Sequence, residues 1–179
     1  MTGQKNRFKT TEKLWDLDDK QLKTPKHDAM VLWLMDVDHL YGDLNFVEHI
    51  PQTIQTPRTK KEMEIVSEKL ESELPIMSSS TFIAGYVDVA VLVKYKGFGL
   101  NNTTAHLIEV KPTIDSFGAV LRQIKSYRKF GQRSFRHVKC YLFTLDDRFD
   151  AQFKSQGIIV LHPPNGVTIQ DMMRKYGLK

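Results

Sequence analysis

The sequence predicts an α/β protein, a central mixed β-sheet flanked by helices. Three observations predict it. Residues 82–95 and 104–111 are apolar runs on either side of Lys96-Gly97-Phe98-Gly99, the signature of a hairpin. A helical stripe and two further short apolar runs follow, giving the order β-α-β-(α)-β that lays helices against a sheet. The chain has 179 residues, 41% hydrophobic and 26% charged, enough for one domain with a real core.

Residues 1–24 are polar, with Trp15 and Leu17 as apolar anchors, and read as an extended arm ahead of a single domain over 25–179. Thr24-Pro25 announces a helix, because proline is tolerated in the first turn. Met30, Val31, Leu34 and Met35 in KHDAMVLWLMDV recur at helical spacing and predict a helix over 26–38. FVEHI allows a short strand, and PQTIQTPRTKK reads as loop. EMEIVSEKLESELPIM (62–77) has the charge density of an exposed helix. The alternation in ESELPIM, with Pro75, instead suits an edge strand, and a strand is expected over this second half. SSST is a turn.

After the hairpin, Pro112 ends the second strand and Asp115 or Ser116 can cap a helix. Phe117, Val120, Leu121, Ile124 and Tyr127 form its apolar stripe, and Gly131 ends it. HVKCYLFTL (137–145) and IIVLHP (158–163) are strands around the short helix or turn DDRFDAQFKSQG. VTIQDMMRKYGLK closes with a helix. No internal repeat or low-complexity tract is present.

Composition narrows the function classes. A net charge of +5 and a pI near 9.2 permit an anionic partner such as nucleic acid without demanding one. The single cysteine, Cys140, excludes a disulfide framework within the chain and reads as a small core residue rather than a nucleophile. No Cys/His set has zinc spacing. The polar, basic N-terminus has no apolar signal core, and no run approaches the ~20 apolar residues of a membrane helix. The expected protein is soluble and intracellular, with no membrane partner.

The informative residues are charges inside the apolar hairpin. Asp88 lies among valines, and Glu109 and Lys111 end the second strand. A turn centred on Phe98-Gly99 places Asp88 opposite or nearly opposite Glu109, with Cβ atoms ~5 Å apart. Like charges so placed repel, so a purely structural pairing is disfavoured. In the first strand Val87, Val89, Val91 and Val93 are expected to share one face and Asp88, Ala90 and Leu92 the other. Glu109 and Lys111 point the same way, so three ionisable groups can converge. Paired carboxylates suit a hard divalent cation, Mg2+ or Mn2+. Such a site can activate a water for hydrolysis, with the lysine orienting it or meeting charge that develops on a phosphate. The bland reading is a buried Asp88–Lys111 salt bridge.

Gly85-Tyr86-Val87-Asp88 followed by Ile108-Glu109-Val110-Lys111 resembles the PD-(D/E)xK nuclease superfamily. Gln123 and Tyr127, at i and i+4 on the next helix, resemble the Q-xxx-Y element of its RecB-type exonuclease branch. The resemblance covers roughly residues 82–130. It implies a restriction-endonuclease-like core and a metal-dependent deoxyribonuclease. By that likeness Asp88, Glu109 and the backbone carbonyl of Val110 hold the metal, and Lys111 positions the water or the scissile phosphate. Gln123 and Tyr127 hold the substrate strand or brace the site. Arg122, Lys125 and Arg128 are candidates for phosphate contacts, or else simply a solvated helix face.

The family usually adds an acidic residue or, in the RecB-type branch, a histidine from an early helix. His27 and Asp28 are candidates, with Glu48, Glu68 and Glu73 competing. Val87 stands where the family name has proline. Lys94, Lys96 and Phe98 at the hairpin tip either insert near a strand end or form a solvated turn. Small stand-alone proteins with these motifs resemble phage or mobile-element nucleases of recombination, repair or defence. That likeness implies DNA as partner, with a homo-oligomer or a separately supplied helicase or recombination protein beside it. The alternative is a non-catalytic nucleic-acid-binding or interaction module on the same fold.

Overall fold

Proline in the first helical turn and Asp28 near the positive helix end begin α1 (Pro25–Met35) in a computed structural model that describes residues 8–10, 24–55, 62–96 and 102–178. Every residue from Ala29 to Met35 is buried, so this helix is apolar on all sides and lies in the core. The sequence predicts a helix over 26–38. The regular helix instead stops at Met35, and a wider-wound turn occupies Asp38–Asp43. Nor is FVEHI a strand: Phe46–His49 is a tight 3-10 turn, entered through Asn45 in the left-handed region at φ 49°. Asparagine tolerates that conformation, and Phe46 anchors the turn in the core.

Among the described residues seven strands occur, in chain order β1 (Phe8–Thr10), ahead of α1, then β2 (Thr53–Gln55), β3 (Glu62–Met77), β4 (Ile83–Tyr95), β5 (Thr103–Lys111), β6 (His137–Thr144) and β7 (Ile159–Leu161). The sheet order is β1-β3-β4-β5-β6-β7, with β2 also pairing β3. β3, β4 and β5 are antiparallel neighbours, whereas β1–β3, β5–β6 and β6–β7 are parallel. The parallel β5–β6 step is bridged by α2 (Phe117–Gly131). A shorter helix, α3 (Asp150–Ser155), precedes β7, and α4 (Ile169–Lys175) closes the described chain against α1. The protein therefore has the α/β architecture that its sequence predicts, a mixed sheet with flanking helices. Among the described residues no helix is long and apolar enough to cross a membrane.

β3 exceeds its expectation, since all of residues 62–77 is strand. Its charges belong to a solvated face: Met63, Leu70 and Ile76 are buried, while Glu62, Glu64, Lys69 and Glu73 are exposed. Pro75 lies beyond the stretches of β3 that pair with β1 and β2, so its missing N–H interrupts no ladder on that side. Thr53–Gln55 pairs with Glu62–Glu64, inside a segment expected to be loop. Gly97, Phe98 and Gly99 at the hairpin tip lie outside the described residues, as do Trp15 and Leu17. Lys94 and Lys96 are exposed.

Packing divides by sheet face. Against α1 lie Leu70, Val89, Val91, Val93, Ile108 and Val110. Below α2, Ile124 packs with Cys140 and Leu142, and Tyr127 packs with Ile76, Val87, Ala90 and Leu107. One expectation fails here. Val87 does not share a face with Val89, Val91 and Val93; it packs with Ala90 under Tyr127. β3 does the same, with Leu70 on the α1 side and Leu74 and Ile76 on the α2 side. The hairpin turns over between these residues although its register holds, Leu70 facing Val91 and Leu74 facing Val87. Glu73 sits at the turnover in the left-handed region, φ 51°, unusual for a non-glycine residue within a strand. In the continuous register Glu73 falls opposite Asp88.

Candidate active site

The β4–β5 ladder is paired from Lys94–Thr103 down to Val89–Ile108, and the next positions in that register are Asp88 and Glu109. The hairpin thus has the register its turn predicts. Beyond Val89 the ladder is completed by a side chain: Asp88 Oδ2 accepts the backbone N–H of Val110 at 2.8 Å. From the other side, His27 in the first turn of α1 brings Nε2 to 3.2 Å from Asp88 Oδ1, while its Nδ1 is 3.1 Å from Asp28 Oδ1. Burial pulls the His27 pKa down, but the hydrogen bonds and charges of Asp88 and then Asp28 outweigh it and raise it to about 9. The imidazole is therefore protonated near neutrality and pairs with Asp88.

Glu109 is 1% exposed. Lys111 Nζ lies 2.6 Å from Glu109 Oε1, an ion pair, and no further well-aligned donor reaches the carboxylate among the described residues. Burial pushes the Glu109 pKa up and the Asp88 charge adds to it. Lys111 and the Tyr127 hydroxyl act against them, and the value rests at about 7. An underserved buried carboxylate next to a second carboxylate is costly unless something else satisfies it. A hard cation fits that requirement through the oxygens of Asp88 and Glu109, with Val110 adjoining. Among the described residues no group of three or more His, Cys, Asp or Glu is arranged to hold an ion, so the fit rests on this pair.

Gln123 and Tyr127 form a relay at the base of the site. Gln123 Nε2 donates to the Tyr127 hydroxyl at 2.6 Å, and that hydroxyl donates to the Tyr86 carbonyl at 2.8 Å. Burial, followed by the Glu109 charge, pushes the Tyr127 phenol upward, so it stays protonated and donating. The helix holding this relay is capped by the Ser116 hydroxyl, which accepts from the Ala119 N–H. Gly85 makes the arrangement possible, because a Cβ there would stand 3.2 Å from Tyr127 Cε1. Gly85→Val should displace that ring, destabilise the fold by roughly 1–3 kcal/mol and loosen the Tyr127–Tyr86 bond. Thermal unfolding, together with the activity proposed below, checks this.

The remaining candidates are scattered. Arg122 is exposed on α2. Lys125 Nζ donates to the Gln156 side chain at 2.8 Å, and Arg128 donates to the Gly157 carbonyl at 2.6 Å, so these two tie α2 to the loop before β7. Glu48 is exposed and bonded to Asn45, and Glu68 is buried near Tyr41 and Tyr95; the structure brings neither to Asp88. Glu73 is exposed, next to Asp88 by register alone. The sequence reading missed the Tyr86 carbonyl as the acceptor of the relay. A backbone acceptor leaves no composition signal, and only the glycine beside it hinted at close approach.

No family model, no curated protein and no solved structure matches the chain. The likeness to PD-(D/E)xK nucleases therefore rests on the residues themselves: Asp88, Glu109 and Lys111, then Gln123 and Tyr127 on the following helix.

Proposed function

We propose that the protein is a divalent-metal-dependent deoxyribonuclease of the PD-(D/E)xK type, hydrolysing phosphodiester bonds of DNA. One observation carries this reading: the hairpin register sets Asp88 against Glu109, and the Glu109 carboxylate is buried against that charge with the Lys111 ammonium paired to it. Mg2+ or Mn2+ held by Asp88 and Glu109 would supply Lewis-acid polarisation of the phosphate and lower the pKa of the attacking water.

The chain's own groups do the rest. His27 and the Val110 N–H each take one lone pair of Asp88 and fix its orientation, leaving further lone pairs for a ligand. Lys111 is partly exposed, so its ammonium can leave Glu109 and meet the charge that grows on the phosphate in the transition state. Gln123 and Tyr127 clamp the Tyr86 backbone and so hold the strand that bears Asp88. The net charge of +5 favours a polyanionic substrate.

The test is cleavage of labelled linear duplex, single-stranded and circular DNA with Mg2+, Mn2+ or EDTA. Metal-dependent cutting should fall by at least about a hundredfold in Asp88→Ala and in Lys111→Ala, a loss of the size expected for removing an electrostatic stabiliser. Full activity in either variant overturns the role given to that residue. Salt-sensitive binding of DNA with no cutting by the wild type would replace this reading with a non-catalytic nucleic-acid-binding module.

A further inference from the structure

Directly after β7 stands a histidine whose two ring nitrogens both face acceptors. His162 Nδ1 lies 2.9 Å from the Thr144 carbonyl at the end of β6. Its Nε2 lies 3.0 and 3.1 Å from the two carboxylate oxygens of Asp150, in the first turn of α3. A neutral imidazole has one N–H and one lone pair, so it donates to only one such neighbour and turns a lone pair on the other. Only the imidazolium donates to both. Asp150 does not supply the missing proton. Burial raises its pKa, but the hydrogen bonds of His162 and Lys154, and then their charges, outweigh that and hold it below the ordinary carboxylate range.

The other charges around this contact are engaged elsewhere or exposed. Lys154 Nζ also reaches Asp150, at 3.3 Å, but it stands on α3 itself and cannot tie that helix to the sheet. Asp146 is taken up by Arg148 and by the Ile114 N–H. Asp147, in the turn ahead of α3, is exposed. Lys111, opposite Thr144 in register, is paired with Glu109.

What α3 supports gives the contact a consequence. The turn after α3 offers the Gln156 side chain and the Gly157 carbonyl, which receive Lys125 and Arg128 of α2. On α2, Gln123 and Tyr127 hold the Tyr86 carbonyl, two residues before Asp88. His162 thus stands at the far end of a run of polar contacts that finishes behind Asp88. Phe153 is fully buried, so α3 stays seated by its apolar side whatever His162 does. The polar contact sets how firmly.

We propose that His162 is a proton-operated clasp. Protonated, it fastens α3 to the ends of β6 and β7 and, through the turn after α3, steadies α2. Neutral, it releases Asp150, and the layer formed by α3 and α2 loosens. Histidine changes charge between about pH 5 and 8, so the clasp works across the physiological range. The clasp stands apart from the nuclease reading, since it concerns the motion of this layer whether or not Asp88 and Glu109 hold a metal.

The test is amide hydrogen exchange on metal-free protein at about pH 5 and pH 8, expressed as protection factors so that the intrinsic pH dependence of exchange drops out. The bonded amides of Phe153, Gln156 and Gly157 report α3, and those of α1 serve as reference. In the wild type, α3 protection should fall by about fivefold from the lower pH to the higher, the scale of a partly exposed ion pair. Asp150→Asn should remove that fall, because the amide can turn its NH2 toward the neutral Nε2 and keep the contact without the extra proton. His162→Phe keeps a ring but no nitrogen, and should leave α3 poorly protected at both pH values. Glu109, with its pKa of about 7, titrates in the same window in all three proteins, so its effect cancels in the comparison. Protection of α3 that ignores pH in the wild type, or that falls equally in Asp150→Asn, would overturn the clasp and leave the nuclease reading standing. A fall shared in full by α1 would mean unfolding of the whole chain and would overturn it too.

Discussion

Glu109→Gln should abolish metal-dependent cleavage, by a thousandfold or more, and at the same time make the metal-free protein more stable. The two effects have one cause. Glu109 is buried and faces the charge of Asp88, and Lys111 only partly offsets the two. Its pKa is raised from an ordinary carboxylate value to about 7. A carboxylate with a raised folded pKa costs stability that is fully felt above the folded value and vanishes below the unfolded one. At pH 8 with chelator, the glutamine should therefore gain on the order of 1–3 kcal/mol. Lys111 loses its partner but reaches solvent, so little is given back. Adding Mg2+ should reverse the order, raising the wild-type Tm and leaving the variant unmoved. Urea and thermal unfolding with and without metal read this directly. A variant less stable than wild type in chelator would show that the Lys111 ion pair outweighs burial and that the carboxylate is structural.

His106→Leu should have the second-largest effect, and it concerns acid rather than catalysis. His106 is fully buried on the α1 side of the sheet, with Phe46 and Tyr141 packed against it. Its Nδ1 meets the Tyr141 hydroxyl at 2.8 Å, and Nε2 has no partner among the described residues. Burial, then the charges of Lys139 and His49, press its pKa down to about 3. An unfolded histidine takes its proton near 6.5, so between these values the unfolded chain binds more protons. Stability therefore falls as pH drops from about 6.5 toward 3, by about 1.4 kcal/mol per pH unit at most. From pH 7 to pH 5, His106→Leu should gain about 2 kcal/mol relative to wild type. Denaturant melts at the two pH values measure it. Parallel pH dependences would mean that the histidine is solvated or partnered when charged.

Much of this architecture is legible in the sequence because alternation and capping are local. The α2 stripe, its Ser116 cap and the antiparallel register that sets Asp88 opposite Glu109 all follow from spacing and turn position. What escaped depends on tertiary context. Residues 62–70 carry the charge of a helix but are held as strand by pairing with β1, β2 and β4 on either side. FVEHI has a strand's composition, but buried Phe46 packs into the core and the segment winds around it. Val87 leaves the face of its fellow valines because the hairpin turns over at Glu73 and Asp88, and no period-2 pattern encodes a change of phase. His27 was one of several candidates for the histidine or acidic partner of the site. Only the packing of α1 against the sheet singles it out from Glu48 and Glu68.

The lone cysteine gives this molecule a built-in reporter. Cys140 lies on β6 beneath α2, packed with Ile124 and Leu142, and burial raises its thiol pKa. A buried, protonated thiol is inert to alkylating reagents until the helix above it lifts. The same helix carries the Gln123–Tyr127 relay and, through Lys125 and Arg128, is latched to the loop before β7. The alkylation rate of Cys140 is thus a clock for the opening of the wall behind the site, readable by mass spectrometry without any label. Breaking either latch residue should speed that clock while circular dichroism still reports a folded chain.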